Sequence, residues 1–322
     1  MNRTAPCFLA TLLTALFLFR AGTVLPADPG SGGQIIPLAQ YQQLSLESQT
    51  VHSSTAGVVM VGEGLLLVGV YSRHVFGQNL LFNYPDTYHS IELVADGERA
   101  RHRYLTVFKS ESDRPVAGGL STVQAAGVYG YEVVQQPRFS LVLGGGLALG
   151  DFGIETASGD SWPVIPVPLI RARWESRLLN AELDFITGPN LNITLAPQSR
   201  LHATVDTRID QLRDERDLIF EGALVYRLFS QDHPLGDLAS VVVGLRNDAY
   251  EFSRQGQGES LELHSYTLFG TIDLTLLTLS AGYAFDSRIR YRESIAESAG
   301  NGWFFSVSAL FPFGTRREGA QQ

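Results

Sequence analysis

The stretch NGWFFSVSALFPFG, Asn301 to Gly314, decides how the chain is read. Taken every second residue, it separates into Trp303, Phe305, Val307, Ala309, Phe311 and Phe313 on one side and Phe304, Ser306, Ser308, Leu310 and Pro312 on the other. A period of two indicates a β-strand, because successive side chains point to opposite faces. The first set has no polar atom beyond the Trp303 indole N–H. Such a row faces either a protein core or lipid.

The same alternation returns upstream. Leu201, Ala203, Val205, Thr207 and Ile209 oppose His202, Thr204, Asp206, Arg208 and Asp210. Leu179, Ala181, Leu183 and Phe185 oppose Asn180, Glu182, Asp184 and Ile186. Further alternating segments start at Val123, Arg138, Asp217 and Leu277. Within residues 40–110 the spacing predicts strands over 40–50, 64–74, 87–95 and 100–110, and leaves open whether Ala56 to Val61 forms another. Turn signals separate the segments: Gln135-Gln136-Pro137, Gly188-Pro189-Asn190, Pro197-Gln198-Ser199, His233-Pro234-Leu235-Gly236 and Gly256-Gln257-Gly258. Longer connections are expected at 75–86, 155–162 and 287–300.

Residues 1–27 read as a cleaved secretory signal: Arg3, an apolar run from Cys7 to Phe19, then small residues ending at Ala27. That run is too short to span a bilayer as a helix. Its removal takes away the only cysteine, so disulfide and thiol chemistry are not expected of the exported chain. It also takes Arg3 and Arg20, leaving 22 Arg and Lys against 33 Asp and Glu. So acidic a balance argues against a nucleic-acid partner. No dinucleotide, P-loop or zinc spacing occurs, so no cofactor or metal is expected. The run GGGLALG, Gly144 to Gly150, lies inside an alternating strand rather than before a helix, and reads as close backbone approach.

Alternation also suits a soluble β-sandwich, and three features decide against it. The segments run nine to thirteen residues, the length a tilted strand needs to cross lipid. Aromatics stand at both ends of the apolar row in the last strand. The polar rows carry Arg, Asp and Glu at matching heights, and Lys109 is the sole lysine. Strands in lipid must close into a barrel to pair every backbone group. The expectation is therefore all-β: a transmembrane antiparallel up-and-down β-barrel of about 12 strands, range about 10–14 and even, from typical barrel dimensions. It would occupy residues 40–314, after a flexible leader at 28–39 and before a tail at 315–322. Short turns should gather at one end and longer loops at the other, with 230–237 and 188–190 departing from that rule.

The closing strand resembles the C-terminal β-signal of bacterial outer-membrane proteins, in which apolar residues at every second position lead to a final aromatic. Phe305, Val307, Ala309, Phe311 and Phe313 match it, although here the chain continues to Gln322. The resemblance implies an outer-membrane barrel of a diderm bacterium, in contact with outer-membrane lipid and read by the barrel-assembly machinery. A monomer is expected.

With the apolar rows in lipid, the polar rows line the lumen. The candidates are Arg171, Arg173, Glu182, Asp184, Asp206, Arg208, Glu221 and Arg227, together with His202. Arg–carboxylate pairing among them is expected, because an unpaired charge in a narrow lumen is costly. A charged lumen points to passive passage or binding of small solutes. The alternatives are a closed structural or surface-interaction barrel, adhesin-like, and a barrel hydrolase. For the hydrolase only His52-Ser53, His89-Ser90 and His264-Ser265 offer His–Ser neighbours, and no catalytic residue is assigned.

Overall fold

The computed structural model describes residues 33–77, 84–117, 122–150, 163–185, 189–209, 218–229, 239–254, 259–274, 276–291 and 295–311. They form sixteen β-strands: β1 Gln34–Leu46, β2 Thr50–Gly62, β3 Leu65–Phe76, β4 Thr87–Arg99, β5 His102–Ser112, β6 Val123–Gln136, β7 Phe139–Leu149 and β8 Val164–Glu175, then β9 Leu179–Asp184, β10 Asn190–Leu195, β11 Leu201–Ile209, β12 Leu218–Arg227, β13 Ser240–Arg254, β14 Glu259–Asp273, β15 Leu277–Tyr291 and β16 Ile295–Leu310. Each strand pairs antiparallel with its neighbours in sequence, and β1 pairs with β16, so the sheet closes into a barrel. Closure gives every strand a partner on both sides, the condition for burying a sheet in lipid.

The strand number corrects the expected dozen. Connections are shorter than a 12-strand count assumes: β2–β3, β4–β5 and β6–β7 are each joined by two residues, and β9 and β10 hold six residues apiece. Ala56 to Val61 belongs to β2. The stretch 287–300 is mostly strand, because β15 runs to Tyr291 and β16 begins at Ile295, with register shifts around Ser287 absorbing the irregularity. β1 starts at Gln34, inside the stretch read as a leader. Residues 1–32 and 312–322, which include the stretch read as a signal, Pro312, Phe313 and the stretch read as a tail, lie outside the described residues, as does Asp210.

Two residues suffice for a hairpin only where the backbone turns sharply. Gly64 supplies this between β2 and β3 with φ of 65°, and a Cβ there would collide with the carbonyl oxygen of Glu98. On β7 a Cβ at Gly146 would strike the carbonyl oxygen of Gly127 on β6, so this glycine allows the close approach read from the sequence.

Burial alternates along the strands. On β16, Trp303 is 69% exposed and its neighbour Phe304 only 4%. On β12, Leu224 is 56% exposed and Ala223 7%. The exposed rows carry Leu93, Leu147, Leu224, Val243 and Leu268, forming an apolar belt far larger than a water-facing surface tolerates. Rings bracket it: Phe139 against Trp174 toward the short-turn end, and Tyr283 against Trp303 and Tyr266 against Phe285 toward the long-loop end. Phe305 and Phe311 share this outward row. The belt faces lipid and the buried rows face the interior.

Candidate functional site

The interior is divided by its own side chains. β5 and β13 stand eight strands apart in a ring of sixteen, on opposite walls. They meet at the long-loop end through a parallel bridge between Ser112 and Ser253. The contact pinches the ring into two lobes at that end.

One lobe, from β13 through β16 and β1 to β4, is packed with Leu44, Val51, Phe76, Tyr88, Leu261 and Leu263. Phe252 from β13 stacks on Tyr88 of β4 at 5.0 Å and meets His74 of β3 at 4.9 Å. The cavity between Gln42, Ser53, His74 and Phe252 measures about 10 Å³, the room of one water molecule. A second apolar cluster, including Val68, Val94, Val107, Val128 and Leu169, covers the interior side of β1 to β8 toward the short-turn end.

The remaining wall carries charge. Hydrogen-bonded register places Arg173 of β8, Glu182 of β9, Asn192 of β10, Asp206 of β11, Glu221 of β12 and Arg246 of β13 side by side, one residue per strand. They form a continuous polar row across six strands. The neighbouring row holds Arg171, Asp184, Asn190 and Arg208. Arg171 Nε donates to Asp184 Oδ2 at 2.8 Å, Arg173 Nη2 to Glu182 Oε2 at 2.9 Å, and Asn192 Nδ2 to Asp206 Oδ2 at 3.1 Å. Arg246 pairs with Asp248 at 3.0 Å, and its guanidinium lies over the rings of Phe269 and Phe304 at 5.1 and 4.6 Å. Thr267 donates to the same Asp248 at 2.9 Å.

Seven of the eight candidates from the sequence fall in these two rows. Arg227 stands apart: its guanidinium donates to the carbonyl oxygens of Pro197 and Ser199 in the β10–β11 turn. His202 is buried on β11.

Sequence reasoning missed Arg246 and Asp248, and also a second charged group on β4 to β6. Lys109, the sole lysine, is 3% exposed and its Nζ lies 2.7 Å from Glu111 Oε2. Ser90 donates to Glu111 at 3.1 Å, and Glu92 is the register neighbour of Lys109. Nearer the short-turn end Arg103 pairs with Glu98 and lies 3.7 Å from Glu132. The signal was available, since Arg103, Leu105, Val107, Lys109 and Glu111 hold one parity, opposite Tyr104, Thr106 and Phe108.

The His–Ser neighbours do not form dyads. Adjacent strand residues point to opposite faces, and His52, His89 and His264 instead meet Tyr41, Tyr71 and Glu262. Among the described residues no group of His, Cys, Asp and Glu has the geometry of a metal site.

A closed sheet with an outward apolar belt between aromatic rings has the architecture of a bacterial outer-membrane β-barrel protein. No protein-family model matches the chain, and no curated protein matches it. Solved structures similar in form include OccAB3 of Acinetobacter baumannii (10% identity, TM-score 0.39, covering 89% of this chain and 100% of that one). OccK7 (OpdD) of Pseudomonas aeruginosa is also similar (10%, 0.35, 89% and 100%), as is an outer membrane channel from Pseudomonas putida F1 (10%, 0.32, 89% and 100%). At that level of similarity, the functional reading rests on the barrel's own residues.

Proposed function

We propose that the chain is an outer-membrane channel for small hydrophilic solutes, and that they pass along the charged half of its interior. The observation that carries this reading is the unbroken polar row from Arg173 to Arg246, which stands opposite a half filled with apolar side chains. A solute leaving water needs replacement partners, and the Arg, Asp, Glu and Asn side chains of this row offer both donors and acceptors. Paired charges cost less to keep in a narrow interior than isolated ones, which accounts for the ladder's composition. Phe305, Val307, Ala309, Phe311 and Phe313 serve the barrel-assembly machinery as its recognition strand, after export and removal of residues 1–27.

Conductance of the purified, folded protein in planar bilayers tests the reading. Stable single-channel steps whose ion selectivity changes in Arg173→Ala support it. Silence from folded protein supports the second reading, a closed structural barrel, which the contact between β5 and β13 favours.

A further inference from the structure

The outer surface of β1 to β4 holds a feature that the channel reading does not use. Tyr41, Ser54, Arg73 and His89 stand at one height on four successive strands, as direct register partners. Below them toward the short-turn end the outward residues turn apolar, through Ala39, Ala56 and Ile91 to Val58 and Leu93. The polar line therefore marks the upper boundary of the lipid belt, where headgroups begin.

Its chemistry is one-signed. Arg73 is exposed, and the outward rows of β1 to β4 contain no Asp or Glu. His52 and His89 flank it, each stacked on a tyrosine, with ring centroids 6.3 Å apart for Tyr41–His52 and 5.8 Å for Tyr71–His89. Tyr41 Oη lies 2.8 Å from His52 Nδ1, and Tyr71 Oη 2.7 Å from His89 Nδ1. These contacts engage Nδ1 of each ring and leave Nε2 as the nitrogen that can donate to an anion. The same rim on β14 and β15 is built otherwise. There Arg288 pairs with Asp286 at 2.9 Å, and Arg290 and His264 each reach Glu262 at 3.3 Å. Arg288 and Arg290 are thus neutralised by the protein itself, whereas Arg73 has no carboxylate partner among the described residues.

We infer that the outer face of β2 to β4 binds the phosphorylated headgroup of an anionic membrane lipid. Arg73 pairs with the phosphate, His52 and His89 donate from either side, and the acyl chains lie down the apolar belt over Ala56, Ile91 and Leu93. Arg is suited to this because its planar fork meets two phosphate oxygens at once.

Native mass spectrometry of the folded full chain in neutral detergent tests the site, with phosphatidic acid as the probe and phosphatidylcholine of the same acyl chains as its comparison. Wild type should retain phosphatidic acid preferentially. Arg73→Gln should lose that retention roughly tenfold, the effect of one charge-assisted contact. Arg288→Gln, which removes a cation already paired to Asp286, should retain the wild-type level. Equal retention of both lipids by wild type, unchanged retention in Arg73→Gln, or an equal loss in Arg288→Gln would each overturn the assignment. A His52→Gln/His89→Gln double variant keeps Arg73 and provides a second reading: several-fold weaker retention supports the flanking donors, and wild-type retention removes them from the site. A heat-dependent gel shift verifies that every variant is folded before it is measured.

Discussion

The two halves of this barrel share one backbone plan and fill their interiors in opposite ways. From β13 through β16 to β4 the inward residues at the long-loop end include a packed cluster of Phe, Tyr, Leu and Val, with a cavity of about 10 Å³ beside His74. From β8 to β13 two inward rows carry Arg, Glu, Asp and Asn, held in register and, apart from buried Arg208, partly exposed. The first half behaves like the core of a soluble protein and supplies tertiary stability beyond the sheet's own hydrogen bonds. The second half gives up that burial and keeps polar groups available to water. A barrel wall alone does not determine whether its interior conducts; the inward row of each strand does.

The largest effect expected is in the packed half. Phe252→Ala removes the ring that joins β13 to β3 and β4, and should destabilise the folded barrel by about 3–5 kcal/mol in urea titration, as for other buried aromatics. A change below 1 kcal/mol would mean that the apolar lobe is not a core. In the charged half, Asp248→Ala removes one partner of the Arg246 guanidinium and the acceptor of the Thr267 hydroxyl, and should cost about 1.5–3 kcal/mol in the same titration. A cost matching that of Phe252→Ala would erase the distinction between the halves. Smallest is the coupling between Arg171 and Asp184, whose side chains remain 25% and 16% exposed. A double-mutant cycle should give about 0.2–1 kcal/mol, because lumenal water screens the pair. Coupling well above that range would place the pair in a dry core and remove it from any aqueous path. Function should respond in the opposite order. Glu182→Gln leaves Arg171 and Arg173 with less compensation and should shift ion selectivity toward anions, whereas Phe252→Ala should leave selectivity unchanged.

The outward half of this design was legible in the sequence. Lipid tolerates only apolar side chains at mid-height, so Leu179, Leu183, Val205, Leu224 and Phe305 mark their strands, and Arg173, Glu182 and Asp206 follow by parity. Strand number was harder to read, because the packed interior erases the alternation that reveals strands. Leu65 to Val68 on β3 is apolar on both faces, one to lipid and one to the core, and Val241 to Val243 on β13 is likewise apolar on both faces. Lys109 and Glu111 keep a single parity with Arg103 and were open to the same reasoning, but the apolar Leu105 and Val107 in their row, opposite Thr106 and Ser110, blur the contrast between the two faces of β5. Register was not legible at all. That Glu182, Asn192 and Asp206 stand abreast depends on how many residues each turn consumes, and the meeting of β5 with β13 depends on closure of the whole ring.

The most direct test of the central claim uses the absence of cysteine from the described residues. Asp206→Cys and Ser53→Cys place one thiol in each half, to be treated with a charged, water-soluble methanethiosulfonate during single-channel recording. Modification at position 206 should lower the conductance steps, and treatment at position 53 should leave them unchanged. Steps that fall on modification at position 53 and ignore it at position 206 would contradict passage along the charged half.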